Sequence, residues 1–384
     1  MNNVGGKISK EQCCGCSGCL TVCPKNAITM QFDEQGFLYP DVNCNICTGC
    51  DLCVSVCETE IKNSFTPLAY AVKSDDEDVL KQSSSGGISS ALCELFIGMG
   101  GVVYGVAYND MHAAVTVRAE TTDECKKFCG SKYVQTNPLS TIEEVKKDLL
   151  DGKNVLYFGT ACHVNGLLSV LSTQNIKTDK LLTVDLICHG VPSPKLFGEY
   201  IDFLKKDKRF KRFSFRTKKI GWGNGSISFA PTIFYNNGKE ETDTLKARAY
   251  LKLFFSNNCL RPSCYNCRYI GINKPGDITI ADYWGLKNEH PEFFDSRGVS
   301  AVIIHTAKGK RVFDSLTGIE RILSTVEKVS RKQGNMRKPS PKADTYEQFW
   351  KDYHEKGFIF VMKKYGGYSN LNRLKNMIKN LLHR

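Results

Sequence analysis

The sequence lacks an apolar opening. Its first residues, MNNVGGKISKEQ, hold no hydrophobic run of the secretory kind, so a cytoplasmic chain is expected. It also lacks a long unbroken apolar stretch. The most apolar region, ISSALCELFIGMGGVVYGVA, is interrupted by Glu94 and several glycines, which argues against a membrane span. No G-x-G-x-x-G follows an apolar run, so a nicotinamide-type Rossmann site is not expected. Acidic residues are too few to balance the basic ones: 52 Lys and Arg against 40 Asp and Glu leave a formal charge of +12. Most of that excess lies in residues 331–384, with 13 basic and 4 acidic side chains, and a second basic run, KKDKRFKRFSFRTKK, covers residues 205–219.

Cysteine, in contrast, is abundant. Eighteen cysteines without an export signal point away from disulfides and toward bound metal. Cys13, Cys16, Cys19 and Cys23 have the spacing C-x2-C-x2-C-x3-C followed by Pro24, and Cys47, Cys50, Cys53 and Cys57 repeat it 34 residues later. This is the bacterial ferredoxin run, in which three cysteines hold one cubane and the fourth crosses to the other. Cys13, Cys16, Cys19 and Cys57 are therefore expected on one 4Fe-4S cluster, and Cys47, Cys50, Cys53 and Cys23 on a second. Zinc would call for two separated C-x2-C pairs instead. Glu58 stands where a second proline is usual. Cys14 and Cys44 fall outside the spacing and read as spare thiols. Between the runs, AITMQFDEQGFLYP predicts a hairpin around DEQG.

A chain of 384 residues suits two or three domains. From residue 68 strands and helices alternate, which predicts a mixed α/β body. The stretch 83–96, SSSGGISSALCELF, reads as a Ser/Gly turn opening a helix; that start suits a phosphate, with a plain cap as the competing reading. TIEEVKKDLL places Thr141 and Glu144 at capping-box spacing. KNVLYFGTACHVNGLLSVL predicts strand, turn and helix, and LLTVDLICHGVPSP a strand ending at Cys-His-Gly. Cys162, Cys188 and the pair Cys264–Cys267 leave a third metal site and ordinary buried thiols equally open. Cys93, Cys125, Cys129 and Cys259 read as small buried side chains, Cys259 being nearest to Cys264.

Six body segments, SSSGG (83–87), GSKYVQ (130–135), GTACHVNGL (159–167), VDLICHGVPSP (184–194), LRPSCYNC (260–267) and DITIADYWG (277–285), resemble in order the coenzyme F420 hydrogenase/dehydrogenase beta-subunit family. The resemblance covers about residues 68–330. It implies an iron–sulfur flavoprotein oxidoreductase: FAD near Ser85, Gly86, Gly87, Gly130, Ser131, Lys132 and Tyr133, with Lys132 facing the pyrophosphate, and a further 4Fe-4S cluster on Cys162, Cys188, Cys264 and Cys267. Ala161 and His163 depart from the proline and glutamine usual in that family. Single electrons would pass through the clusters to or from FAD, which would exchange hydride with an organic substrate: deazaflavin, or another acceptor such as one in surface-polysaccharide metabolism. His189 and His163 are candidate proton relays, with a hydrogen-bonded structural histidine as the competing reading for each. Asp282 and Trp284 read as structural. The expected partners are a ferredoxin or a hydrogenase/dehydrogenase subunit. The other functional reading is a non-catalytic electron-transfer subunit.

The expected layout is a ferredoxin-like domain at 1–62, a larger mixed-sheet flavin-binding domain at 68–330, and a basic helical tail at 331–384. In the run 205–219, Phe210, Phe213 and Phe215 alternate, which favours a half-buried strand over a nucleic-acid surface. The last residues, SNLNRLKNMIKNLLHR, form a basic amphipathic pattern that suits either the inner face of a membrane or packing on its own domain or a protein partner.

Overall fold

The computed structural model describes residues 3–60, 63–138, 140–223 and 229–369. The hairpin forms as the sequence predicts. Strands β1 (Ile28–Phe32) and β2 (Leu38–Val42) pair antiparallel with Ile28 opposite Val42. Asp33 closes the turn, its carboxylate accepting from the backbone N–H of Gln35 and Phe37. The two cysteine loops that flank the hairpin share their backbone. Gly15 and Gly49 have φ +71° and +67°, and in each loop the residue two places further on, Ser17 or Asp51, has φ 64° or 68°. The sequence repeat is thus a conformational repeat.

The body is built on one eight-stranded sheet. Its strands are β3 (Leu68–Ser74), β4 (Val102–Tyr108), β5 (Ala114–Ala119), β6 (Val155–Phe158), β7 (Leu181–Leu186), β11 (Ile278–Asp282), β12 (Ser300–Ile304) and β13 (Ile319–Ser324). Their order is β13-β3-β12-β11-β7-β6-β4-β5. Strands β4, β6, β7, β11 and β3 run one way, while β5, β12 and β13 run against them. Val155, Leu156 and Tyr157 are all buried, as both faces of a central parallel strand require. Strands β8 (Phe210–Ser214), β9 (Thr232–Tyr235) and β10 (Glu240–Thr242) form a separate antiparallel sheet. In β8, Lys211 and Arg212 are exposed while Phe213 is buried, as is Phe215 just beyond it: the alternation is that of a half-buried strand.

The VPSP segment shows how the local sequence sets a helix. Ser193 caps Pro194–Lys205 by accepting from Leu196 N, and Pro194 occupies the first turn, where its missing N–H costs nothing. The hydroxyl of Ser193 also donates to Gln35 O in the hairpin turn, fastening the small module to the body.

Two expectations need correction. The helix Thr141–Leu150 starts at Thr141 itself, so Thr141 is too late to cap it; Ser140 holds the cap position without a side-chain bond. The complete capping box lies at Thr121 and Glu124. Second, residues 331–369 are not a separate tail. Helices Tyr346–Lys356 and Phe358–Lys364 bury Phe349, Trp350, Val361 and Met362 in the same hydrophobic core as Phe197, Tyr200 and Tyr250. The amphipathic pattern beyond residue 369 lies outside the described residues. No helix among the described residues is long and apolar enough to cross a membrane.

Candidate electron-transfer chain and cofactor site

In the small module, eight cysteines fall into two groups. Cys57 faces Cys13, Cys16 and Cys19 electrostatically, and burial first, then Cys14 and Cys13, pushes its thiol up to about 12. Cys23, Cys47, Cys50 and Cys53 line one pocket with Pro24 and Lys25. Each group thus takes its fourth member from the other run. Donors already point at sulfur: Ala27 N to Cys23 Sγ at 3.2 Å, Arg261 Nη2 to Cys13 Sγ at 3.4 Å, and Asn3 Nδ2 to Cys47 Sγ at 3.6 Å.

In the body, the parallel strands bring the remaining candidates to one edge of the sheet. Cys162 follows β6 as the second residue of the helix Ala161–Thr173. Cys188 follows β7, and Asp282 and Trp284 lie at the end of β11 and just past it. Ser300 begins the antiparallel β12 at the same edge, and Ser85–Gly87 returns there after β3. The carboxyl edge of parallel strands is where open α/β sheets hold ligands. Cys264 and Cys267 arrive from a 3-10 turn and its exit: Val191 N donates to Cys264 Sγ at 3.4 Å, and Cys267 interacts with both Cys162 and Cys188. Burial pushes the Cys188 thiol up to about 11 and raises those of Cys264 and Cys267. Bound iron would displace these protons, since the thiolate is the ligand.

All eighteen cysteines are free thiols. Among the described residues no three His, Cys, Asp or Glu side chains are placed to hold a metal ion. A cubane asks for something wider, one thiolate at each of four iron corners. The three groups of four, drawn from separate segments and carrying N–H donors toward sulfur, fit that demand.

The candidate flavin residues are partly brought together. Ser131 donates its N–H and bonds through its hydroxyl to Ser84 Oγ at 2.9 and 3.0 Å, so the 83–87 and 130–133 segments touch. Gly86 N donates to Ser300 Oγ, and Ser85 Oγ donates to Val299 O. A Cβ on Gly130 would meet nothing, leaving open space above it. Tyr133 stacks on Phe254 at 5.2 Å and edges Phe215. Lys132 is a correction. Its ammonium donates to the carbonyls of Lys127, Phe128 and Cys129 at 2.9–3.0 Å, which uses all three N–H bonds and leaves none for a phosphate. Burial pushes its pKa down to about 8.

His189 is held on both nitrogens, by Asn257 Oδ1 at 2.7 Å and Ser340 Oγ at 3.3 Å, with Phe254 and Phe255 edge-on to its ring. His163 lies elsewhere, on the helix that carries Cys162, beside Cys14 and Arg261. Burial lowers the pKa of both, which keeps them neutral near pH 7.

Sequence reasoning missed three features. Arg216 makes a buried fork to Asp282 at 2.6 and 3.1 Å, and Trp222 Nε1 donates to the same carboxylate at 2.8 Å. The Nε of Arg216 is buried without a partner. Lys218 donates to Ser85 O at 2.7 Å and so ties this group to the Ser/Gly turn. Both cations sit in the basic run 205–219, just beyond the alternating phenylalanines that predicted a half-buried strand. Arg261 is the third: fully buried, it donates to Cys13 O, Gln135 Oε1 and Leu38 O. Its only sequence signal is its place beside a C-x2-C pair.

Residues 152–329 match the family described as the C terminus of the coenzyme F420 hydrogenase/dehydrogenase beta subunit, and residues 12–61 match the 4Fe-4S dicluster domain. No curated protein matches the chain. Among solved structures, a chain from the F420-reducing [NiFe] hydrogenase complex of Methanosarcina barkeri is similar at 16% identity and a TM-score of 0.48, over 77% of this chain and 94% of that one.

Proposed function

We propose, for a chain whose residues 152–329 match the coenzyme F420 hydrogenase/dehydrogenase beta-subunit family and whose residues 12–61 match a 4Fe-4S dicluster domain, that it is an iron–sulfur flavoprotein oxidoreductase. At the coarser level it is an iron–sulfur electron-transfer protein of that family. The finer reading adds a third cluster on Cys162, Cys188, Cys264 and Cys267, FAD, and hydride exchange with an organic substrate such as a deazaflavin.

One observation supports this reading above the others. Cys162 and Cys188 stand at the carboxyl edge of the sheet next to the Asp282, Ser300 and Ser85 positions, while the cluster loop of the small module packs against the helix that carries Cys162. Ser85, Gly86, Gly87, Gly130, Ser131 and Tyr133 would hold the flavin, and the unpartnered Nε of Arg216 offers it a further donor. FAD, when bound, supplies the exchange between single electrons and hydride, which cubanes alone cannot make. The protein would bind, orient and exclude water, and His189, neutral and held by Asn257 and Ser340, would serve as the proton relay.

The commitment of Lys132 to three carbonyls favours the second reading, an electron-transfer subunit that hands electrons to a partner enzyme. Anaerobically reconstituted protein separates the two. A flavin absorption band that bleaches with dithionite, together with the clusters, is the expected result. Protein that never retains flavin while its clusters reduce overturns the oxidoreductase reading and leaves the electron-transfer one.

A further inference from the structure

Arg216 stands just past strand β8, and its side chain is only 5% exposed. Its two terminal nitrogens fork onto Asp282, Nη1 to Oδ2 at 2.6 Å and Nη2 to Oδ1 at 3.1 Å. The Trp222 indole donates to the same carboxylate. The fork fixes the plane of the guanidinium and uses only one of its edges. The neighbouring edge carries Nε–H and the second N–H of Nη2, two donors that point the same way. Tyr133 faces this guanidinium, yet Nε is buried and has no partner. A buried donor left unpaired destabilises a fold, so an acceptor is expected on that edge.

Both candidate flavin segments come to this residue. On one side, Lys218 donates to Ser85 O at 2.7 Å, and Asp282 lies opposite Ser300, whose hydroxyl accepts from Gly86 N. On the other, the Tyr133 ring packs 5.9 Å from that of Phe229. The guanidinium carbon lies 5.0 Å from the Phe229 ring centre and 5.7 Å from that of Trp284, which stacks on Trp222. Phe229 and Trp284 are only half-buried. Flat apolar faces therefore flank the guanidinium. The carboxylate of Asp282 opposes a second anion at this place, which argues against a pyrophosphate. A flat, uncharged heterocycle with two adjacent acceptors suits both the donors and the rings.

We propose that the free edge of Arg216 receives the pyrimidine edge of the flavin ring, where N1 and the C2 carbonyl lie side by side. The inference rests on the flavin reading given under the proposed function and deepens it by orienting the ring. The dimethylbenzene end of the ring has no acceptor and cannot take this place. Two electrons from the reduced clusters and one proton from water leave one net negative charge on the ring, shared by N1 and the C2 oxygen. Arg216 stabilises that charge, and Asp282 balances the guanidinium while the ring is neutral. Charge placed near N1 is one of the means by which a protein tunes a flavin. Arg216 thereby raises the flavin potential.

The test uses the full chain reconstituted anaerobically with FAD, read by iron content, flavin content and spectroelectrochemical titration of the flavin. Arg216→Lys still pairs with Asp282 but offers no second edge. It should keep its iron. At a fixed poise its flavin should be less reduced by about tenfold in the reduced-to-oxidised ratio, or about 30 mV for two electrons. If Arg216→Lys does not fold, Arg216→Gln combined with Asp282→Asn removes both charges together, and the same direction of shift is expected. Reconstitution with 1-deaza-FAD, which has carbon in place of N1, should shrink the difference between wild type and variant; a loss of packing alone would leave it unchanged. Flavin-loaded variants with an unmoved potential overturn the assignment of Arg216 alone, as does an equal shift with FAD and with 1-deaza-FAD. Wild-type protein that retains no flavin overturns the flavin reading and this inference with it.

Discussion

At the scale of single residues, buried polar groups outside the proposed chain make a measurable signature. Asp185 is fully buried in β7 and accepts from Thr279 Oγ1 at 2.5 Å and Gly276 N at 3.1 Å. Thr279 Oγ1 lies 2.8 Å from His305 Nε2. Burial pushes the Asp185 carboxyl up to about 6; burial, with Lys274 alongside, pushes the His305 imidazole down to about 4. The two oppose each other. As pH falls from about 6.5 to 4, the unfolded chain protonates His305 while the folded one resists, so stability is lost. From about 6 to 4 the folded chain protonates Asp185 before the unfolded one does, so stability is gained. Each effect is about 3 kcal/mol. Asp185→Asn removes the gain and keeps the loss. Denaturant unfolding across pH 4–7 should show the wild-type stability rising relative to the variant by about 3 kcal/mol between pH 6 and 4. A constant difference would show that Asp185 is not shifted. Local pattern does not show that Asp185 is buried and shifted, because its environment comes from strands nearly a hundred residues away.

At the scale of elements, periodicity and spacing were informative and caps were not. The hairpin, the central strands and the helix after Phe158 all stand where alternation and turn residues put them. Local pattern is enough there, since each strand is defined by which faces it must bury. The capping box moved because Thr141 and Glu144 have the right spacing on the wrong turn, while Thr121 and Glu124 satisfy it in full. The cysteine runs were legible as clusters because the loops are short. The contact of the first cysteine loop with the helix that carries Cys162 was not, since it depends on how one helix lies against one loop. That packing gives a paired prediction. Gly166→Ala puts a Cβ 2.7 Å from Cys16 and should cost about 1–3 kcal/mol and loosen iron on the first cluster. Gly198→Ala, in the helix Pro194–Lys205 with nothing within 4 Å, should be neutral or stabilise by up to about 1 kcal/mol. Thermal unfolding with iron analysis checks both; equal behaviour of the two variants would mean that the helix and the cysteine loop are not in close contact.

At the scale of the whole molecule, the small module and the body form one packed unit. Val54 and Val56 of the module share a core with Val164, Leu167 and Val170 of the helix that carries Cys162. Arg261 reaches from the body into the module backbone, and Arg268 donates to Cys57 O at 2.6 Å. The basic C-terminal segment, whose charge suggested a separate tail, supplies core aromatics instead. Charge counts see the exposed face of those helices and miss the buried one. A rigid junction of this kind suits electron transfer, because it fixes the distance between centres. What the purified chain binds decides whether it is an oxidoreductase. Iron and flavin per chain, measured after strictly anaerobic purification, test this most directly. About 12 irons and one FAD are the predicted result. About 8 irons and no flavin would leave the dicluster module alone and contradict the proposed oxidoreductase.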